Sequence, residues 1–188
     1  MPPKTRYTRQ AVLDAALEVV RSDGLRGVSA RTVAKALGAS TAPVLATFES
    51  MQALTDAVVA ALIEELIAAI DATEASDPIR AAAFAMARFT TDHPYYYEAL
   101  FLHTHPSPPD WVALRAGFSG PLDVSERFGH LGRRQRDALA WRASVVAHGI
   151  CIEIWSGRWT RTSDRAIWRL VDQLVEPIIG VFLAERSG

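Results

Sequence analysis

The fold of this chain is indicated first by one stretch of its sequence, Val28-Ser-Ala-Arg-Thr-Val-Ala-Lys-Ala-Leu-Gly-Ala-Ser-Thr-Ala-Pro-Val-Leu-Ala-Thr-Phe48. Ser29 is a typical residue to cap the start of a helix, and Gly38 stands where a helix commonly ends. The stretch therefore predicts a short helix over residues 30–36, a tight turn at Gly38 and a second short helix over residues 41–47. Two helices joined in this way form a helix-turn-helix.

The second short helix has an unusual composition for a helix that would contact bases. From Gly38 to Phe48 the sequence contains no charged residue and no Asn, Gln, His or Tyr. In a helix-turn-helix that binds DNA, the first helix braces on phosphates and the second places side chains against base edges in the major groove. Such contacts here would come from a Thr41 hydroxyl and from apolar contacts of the next three residues with thymine methyl groups.

The surrounding sequence resembles a known DNA-binding domain. Residues 9–54 are similar to the N-terminal domain of TetR-family transcriptional regulators, and the similarity depends on spacing along the whole segment rather than on one short motif. The resemblance implies an all-α regulator that binds DNA as a homodimer. The matching positions are Val12-Leu13, Ala15-Ala16, Gly24, Gly27-Val28-Ser29, Val33-Ala34, Leu37-Gly38-Ala39-Ser40, Phe48 and Leu54.

Three positions depart from the family's pattern. Leu45 stands where the family usually has a tyrosine, Thr47 where it often has a histidine or another polar residue, and Met51 where it usually has a lysine. In the family that tyrosine and lysine typically hold phosphates, which supply much of the affinity for DNA. Two interpretations stay open: a domain that binds DNA through other cations, and a domain that keeps the fold without binding DNA.

We expect the DNA contacts to come from a basic N-terminal arm and from the two short helices. Residues 1–50 carry seven Lys/Arg and four Asp/Glu, whereas the remainder carries 13 and 17, so the N-terminal end is the one suited to phosphate. The expected DNA-contacting residues are Lys4, Arg6, Arg9, Ser29, Arg31, Lys35, Ser40, Thr41, Ala42, Pro43, Val44, Leu45 and Thr47.

The composition excludes several classes of protein. Of the 188 residues 49% are hydrophobic, which is enough for a substantial core. Charged residues interrupt the most apolar segment, and no apolar segment follows the basic N-terminus, so the sequence predicts neither a membrane span nor a secretory signal. The single cysteine, Cys151, excludes an internal disulfide. We therefore predict a cytoplasmic protein without a membrane partner.

Hydrophobic periodicity is helical along nearly the whole chain, and no segment alternates as a strand does. Start signals at Thr8, Ser50 and Asp77-Pro78, and a break at His93-Pro94, predict the bounds of the longer helices. The last two helices are predicted over residues 133–156 and 163–185. The predicted fold class is all-α with about nine helices, divided into a helix-turn-helix DNA-binding domain over residues 1–50 and a ligand-binding and dimerisation domain over residues 51–188.

The last two helices predict how the chain assembles. The final helix is apolar on two sides and so needs two apolar neighbours, while the helix before it has a stripe of small residues that permits close approach. Pairing both with their copies would build a four-helix interface around a two-fold axis, as TetR-family regulators do; burial within one chain is the alternative. The expected interface residues are Ala140, Ser144, Ala147, Cys151, Trp168, Val171, Leu174, Val175, Ile178 and Phe182.

The segment between the helix-turn-helix and the last helices is rich in aromatic residues and histidines. The family encloses an effector pocket in this region, and mostly apolar cavities are typical of small-molecule sites. Ordinary core packing is the alternative. The expected ligand-binding residues are Phe84, Arg88, Phe101, His103, Trp111, Trp141, His148 and Trp155.

A metal or catalytic site is a further alternative. The pairs His103/His105 and His148/Cys151 have spacings that suit two ligands, but no third or fourth ligand is evident. No Ser/His/Asp or Cys/His/Asn pattern has a recognisable local context. We therefore predict no cofactor, no metal and no enzymatic activity.

The resemblance implies a repressor that binds a palindromic operator in double-stranded DNA as a homodimer. An unknown small apolar or aromatic effector would release it from the operator by favouring a second state of the dimer. The alternative is a small-molecule-binding protein on the same scaffold with weak or lost DNA binding.

Overall fold

The computed structural model describes residues 7–103, 105, 118 and 122–185 of the chain. These residues form α-helices and no strand, so the predicted all-α fold class is confirmed, with eight helices in the described part of the chain. A 3-10 turn covers Leu25–Gly27 and a π-helical turn covers Glu98–Leu102. The helices are α1 (Arg9–Asp23), α2 (Ala30–Leu37), α3 (Thr41–Thr47), α4 (Met51–Asp71), α5 (Pro78–Asp92), α6 (Pro94–Tyr97), α7 (Arg133–Trp155) and α8 (Asp164–Ala184).

The chain forms two compact units. Unit 1 comprises Met1–Glu64 and His93–Pro109, and unit 2 comprises Glu65–Asp92 and Asp110–Gly188. The boundary between the two units falls inside α4. The predicted boundary at residue 50 is of another kind, because it separates a DNA-binding domain from a ligand-binding and dimerisation domain. That division of functions stays a prediction. No helix in the described ranges is long and apolar enough to cross a membrane.

In unit 1, α1 packs against α2, α3 and α6 because one of its faces is wholly apolar. Thr8 caps the start of the helix, and its Oγ1 accepts a hydrogen bond from the Ala11 N–H at 3.1 Å. Gly24 ends the helix with φ of 70°, a conformation that favours glycine. A side chain there would also meet the Tyr95 ring, 3.3 Å from the position of a Cβ. The buried face of α1 consists of Val12, Ala15, Ala16, Val19 and Val20.

In unit 2, α5 packs against α7 and α8, and its start is held by charged side chains. The Asp77 carboxylate accepts hydrogen bonds from the N–H groups of Ile79 and Arg80 at 2.9 and 3.2 Å, as expected of a helix cap. Arg127 lies 2.5 Å from Asp77 and 2.5 Å from Glu176, which is in α8. Since the Asp77 side chain is almost fully buried, Arg127 neutralises a charge that would be costly alone.

The stripe of small residues on α7 faces the chain's own α5, which corrects the prediction that it faces a second copy. Ala140, Ala147 and Cys151 are buried inside the unit. A narrow cleft lies between α5 and α7, and Ala140, Ser144 and Ala147 form part of its wall. The small side chains are thus explained by the close approach of two helices of one chain.

Part of the apolar surface of α8 is also internal, contrary to the predicted interface. Val171, Val175 and Phe182 are buried within the unit. Trp168 stacks on Phe84 of α5, with ring centroids 4.2 Å apart and 7° between the ring planes. The stripe that was assigned to a partner subunit therefore belongs largely to the core of unit 2.

The outward faces of α7 and α8 carry exposed apolar residues, most of which differ from the predicted interface residues. Trp141 and Val145 on α7 are 70% and 55% exposed, and Leu174 and Val181 on α8 are 45% and 57% exposed. Gly149 and Gly180 lie among them, and a Cβ built on either glycine meets nothing within 4 Å. Of the predicted interface residues, Leu174 is exposed and three are partly exposed: Ser144, Trp168 and Ile178.

Candidate nucleic-acid interface

The start of α2 is held by a reciprocal pair of hydrogen bonds between Ser29 and Thr32. The Ser29 N–H donates to Thr32 Oγ1 at 2.9 Å, and the Thr32 N–H donates to Ser29 Oγ at 3.2 Å. Thr32 Oγ1 also donates to the Gly27 carbonyl at 2.7 Å. This capping box satisfies backbone donors that the helix itself leaves unpaired, so it sets where α2 begins.

The turn after α2 depends on Gly38, which adopts φ 67° and ψ 34° in the left-handed region. The N–H of Ala39 donates to the Ala34 carbonyl at 2.9 Å, and the N–H of Gly38 donates to the Lys35 carbonyl at 3.2 Å. These bonds end α2 in the way that a left-handed glycine allows. The predicted helix, turn and helix are confirmed at Ala30–Leu37 and Thr41–Thr47.

One side of α3 anchors the helix in unit 1. Val44 is 1% exposed and Phe48 is 3% exposed, and the two residues lie one helical turn apart. The prediction that Val44 contacts a base is therefore corrected, because its side chain is already packed in the core. In the sequence, Val44 differs from its neighbours because it stands four residues before Phe48, so the two apolar side chains lie on the same side of the helix.

The other side of α3 is exposed and carries only small or apolar groups. Thr41, Ala42, Leu45 and Ala46 are exposed, with Leu45 at 57%. Ser40 precedes them and is exposed too, and its side chain makes no capping hydrogen bond. Ala46 was missed by the sequence prediction, although it follows Ala42 by one helical turn.

The hydroxyl group at the C-terminal end of α3, on Thr47, already makes a hydrogen bond. Thr47 Oγ1 donates a hydrogen bond to the Pro43 carbonyl at 2.6 Å, and both residues are partly exposed. Pro43 itself fits near the start of the helix, where a missing N–H leaves no helical hydrogen bond broken. Thr47 therefore stabilises α3, and its proton is not free for a base.

Cationic groups flank α3 on the neighbouring helices. The Arg9 guanidinium carbon lies 4.0 Å above the centre of the Phe48 ring, a cation–π contact that holds this side chain against the anchor of α3. Arg31 and Lys35 are exposed on α2, as is Ser29 at its cap. Lys4 and Arg6, the predicted N-terminal arm, lie outside the described residues.

The predicted ligand-binding residues are distributed over both units. Phe101 and His103 belong to unit 1, where the Phe101 ring lies 5.2 Å from that of Tyr97 and the His103 ring 5.9 Å from that of His105. The others that the structure describes belong to unit 2. Trp111 lies outside the described residues. These assignments stay predictions.

Within unit 2, the predicted ligand-binding residues have separate surroundings. Arg88 pairs with Asp92 at 3.1 Å and Asp164 at 3.4 Å, and it donates to the Thr162 carbonyl at 3.3 Å. Phe84 is stacked on Trp168, as described above. Trp141 and Trp155 are exposed on α7. Four residues predicted to surround one molecule thus have different neighbours.

A cleft does exist in unit 2, and its wall is formed by another set of residues. It has about 20 Å³ of space for the centre of a water molecule, which is room for about one water. None of its lining residues was predicted to bind a ligand. They are Ile79, Ala82, Ala83, Met86, Phe118, Ala140, Ala143, Ser144 and Ala147.

His148 of α7 is partly buried and Cys151 of the same helix is fully buried. Burial lowers the pKa of the His148 imidazole, which favours its neutral form. Burial also raises the pKa of the Cys151 thiol to about 12, partly offset by a hydrogen bond with Thr90. Because the thiolate is the nucleophilic form, the Cys151 thiol is not a ready nucleophile near neutral pH. Among the residues that the structure describes, no three His, Cys, Asp or Glu side chains form a group that could hold a metal ion.

Similar proteins agree with the helix-turn-helix geometry. Residues 12–58 match the family model for bacterial regulatory proteins of the TetR family. Over 76 residues the chain is 37% identical to the nicotine-responsive transcriptional repressor HdnoR of Paenarthrobacter nicotinovorans. That match spans 40% of this chain and 39% of the length of that repressor.

Solved structures share the fold over most of the chain. A TetR-family member from Streptomyces coelicolor A3 has a TM-score of 0.62 and 20% identity, covering 91% of this chain and 98% of that one. A transcriptional regulator from Rhodococcus sp. RHA1 has a TM-score of 0.65 and 18% identity, covering 93% and 97%. The N-terminal residues of this chain thus match the model of the TetR family of bacterial regulatory proteins, and its helices share the fold of these solved structures.

Proposed function

We propose that this protein is a transcriptional repressor that binds a palindromic operator as a homodimer and leaves it when a small apolar or aromatic effector binds. The observation that carries the proposal is α3, which is anchored on one side by Val44 and Phe48 and exposed on the other. Its preceding helix presents Arg31 and Lys35 to solvent. A helix held in this way, with cations beside it, suits insertion into the major groove.

A homodimer is supported by the exposed faces of α7 and α8. Trp141, Val145, Leu174 and Val181 together leave apolar surface in water, and such surface commonly marks an interface. Gly149 and Gly180 have open space around them, which would let a second copy's helices come close. A two-fold dimer presents two copies of α3 and therefore requires a palindromic site.

The proposed effector site lies in unit 2, where the cleft between α5 and α7 is walled almost entirely by apolar side chains. An apolar or aromatic molecule would match that chemistry. The cleft has room for about one water as it stands, so binding would select a state in which it is wider. HdnoR, to which this chain is similar over 76 residues, is a nicotine-responsive repressor, and nicotine is a small molecule of this general kind. No enzymatic step is part of the proposal.

The test is fluorescence anisotropy with the full chain and duplex DNA from upstream of its own gene. We expect tight binding to that duplex, weak binding to a scrambled duplex of the same composition, and loss of affinity as salt rises. A compound library screened for thermal stabilisation would then supply effectors, which should release the labelled duplex.

The second candidate is a small-molecule-binding protein that retains the helix-turn-helix only as a scaffold. It is favoured by the neutral exposed face of α3 and by Leu45 and Met51 at positions where the family usually has phosphate-binding residues. Equal and feeble binding to both duplexes, together with stabilisation by a small molecule, would establish this second function instead.

A further inference from the structure

The exposed face of α3 carries a limited set of chemical groups, and these restrict which bases it could recognise. None of the seven residues of α3 is charged or bears an amide. In the major groove, guanine is usually recognised by Arg or Lys, adenine by Asn or Gln and cytosine by Asp or Glu. Those three kinds of contact are therefore not available from α3.

Few hydrogen-bonding groups remain on this helix. Thr47 donates its hydroxyl proton to the Pro43 carbonyl. The hydroxyls at Ser40 and Thr41, which are exposed at the start of the helix, are the polar groups left. Apolar side chains make up the rest of the exposed face, and the base feature that matches an apolar side chain is the C5-methyl group of thymine.

We propose that Leu45, with Ala42 and Ala46 beside it, recognises the C5-methyl groups of thymines in the operator; this rests on the proposed function above. Leu45 is the one large side chain on the exposed face, and more than half of it is in contact with water. Burying a methyl group removes apolar surface from water, which corresponds to about a fourfold gain in affinity for each methyl group. Its two alanine neighbours are short, so they leave room for the helix to come close to the bases.

Attraction to phosphate would be provided by different residues. Arg31 and Lys35 are exposed on α2, and Arg9 is held over the Phe48 ring. Contacts of cations with phosphate do not depend on the base sequence. Affinity from α1 and α2 would thus be separable from thymine recognition by α3, and this separation makes the proposal testable.

The experiment compares two versions of the upstream duplex, one with thymine and one with uracil at every thymine position. Uracil pairs in the same way but lacks the C5-methyl group, so the two duplexes differ in the feature that Leu45 would contact. We expect the full-length protein to bind the uracil duplex at least about tenfold more weakly, as two or more lost methyl contacts would produce. A scrambled duplex made in both forms controls for any effect of uracil on DNA shape.

Two variants complete the design. Leu45→Ala should weaken binding to the thymine duplex and have a much smaller effect on the uracil duplex, because the contact it removes is already absent there. Lys35→Met is the matched control and should weaken binding to both duplexes by the same factor. Circular dichroism confirms that both variants are folded, which is expected for two exposed positions.

The outcomes separate this proposal from the function on which it rests. Equal affinity for the thymine and uracil duplexes, with preference over scrambled DNA retained, would overturn thymine recognition and leave the repressor proposal standing. An equal loss on both duplexes for Leu45→Ala would also overturn it. Absence of any preference for the upstream thymine duplex over the scrambled one would overturn both proposals.

Discussion

Small side chains occur on α3 and on α7, and the structure gives them opposite surroundings. On α3, Ala42 and Ala46 are exposed. On α7, Ala140 and Ala147 are buried against the chain's own α5. Both segments have the composition that permits close approach of another surface. Small residues on a helix therefore indicate that another surface can come close to that helix, but they do not indicate whether that surface belongs to the same chain or to a partner.

The two regions also differ in how they are held. The position of α3 depends on local hydrogen bonds around Ser29 and Gly38, and on two buried side chains of its own. In unit 2, the start of α5 is tied to α8 by Arg127, which is far from Asp77 and Glu176 in the sequence. We therefore expect substitutions on the exposed side of α3 to leave stability unchanged, and substitutions in the buried contact between α5 and α7 to reduce it.

The largest effect is expected from Ala147→Arg, which would place a long cation where the present side chain is 2% exposed. A buried charge without a partner typically costs about 3–5 kcal/mol, so we expect the variant to be unfolded or close to it. Urea unfolding followed by circular dichroism measures the loss.

Val145→Arg, two residues away on the exposed side of α7, is the matched control. It should keep the stability of the folded subunit and, under the proposed function, shift the mass seen by light scattering from dimer to monomer. A folded Ala147→Arg variant that is merely monomeric would show that the small-residue stripe faces a partner subunit after all.

A smaller loss of stability is expected from Arg127→Met. The substitution keeps an apolar stem and leaves the buried Asp77 carboxylate without its cation. Loss of a partner for a buried polar group costs about 1–3 kcal/mol, which a urea titration resolves. Arg158→Met, which removes an exposed pair with Glu153, is the control and should have no measurable effect. Equal effects of the two variants would mean that Arg127 does not hold the start of α5.

The pH dependence of stability should show a contribution from Glu176. The hydrogen bond from Arg127 lowers the pKa of this carboxyl below its ordinary 4.5. Because the folded pKa lies below the unfolded one, the stabilisation is present above about pH 4.5 and is lost as the pH falls through the folded pKa. The pair is partly exposed, so we expect at most about 1 kcal/mol.

The check is the unfolding free energy of wild type and Glu176→Gln between neutral and acidic pH. The difference between them should shrink as the solution becomes acidic. A difference that stays constant over the whole range would contradict the assigned role of the ion pair.

On the α3 side, Met51→Lys should restore a cation at the start of α4, where the family usually has a lysine. We expect tighter binding to all duplexes alike. The slope of log K against log salt concentration should become steeper by about 0.9 per protomer, because one more phosphate is neutralised.

Thr41→Ala should instead lower discrimination at one or two base pairs and leave the salt dependence unchanged. Anisotropy over a salt series distinguishes the two. A selective effect of Met51→Lys on the upstream duplex would be inconsistent with a phosphate contact.

The smallest effect is expected from Ala46→Arg, the same kind of substitution as Ala147→Arg placed on the exposed face of α3. Exposed positions without special contacts usually change stability by no more than about 0.5 kcal/mol. The urea midpoint should therefore match that of wild type. A large loss would show that this face of α3 is covered within the subunit.

The sequence predicted the ends of helices best, because one local residue is sufficient to indicate a helix cap or a tight turn. The caps at Thr8 and Asp77 and the turn at Gly38 were recognised from residue type, and each has the expected hydrogen bonds or backbone angles. It was less successful for faces of helices. The stripe on α7 was recognised as a site of close approach, and its partner was then assigned wrongly to a second copy.

The sequence by itself determined the helices, their ends and the helix-turn-helix, because caps and left-handed glycines act over a few neighbouring residues and need no distant partner. Only the tertiary structure decided that Val44 turns inward and Leu45 outward, that α5 covers the small residues of α7, and that Arg127 joins Asp77 to Glu176. Helical periodicity defines which residues share a face. Which face is buried depends on contacts between segments far apart in the chain, and those form only when the whole unit packs.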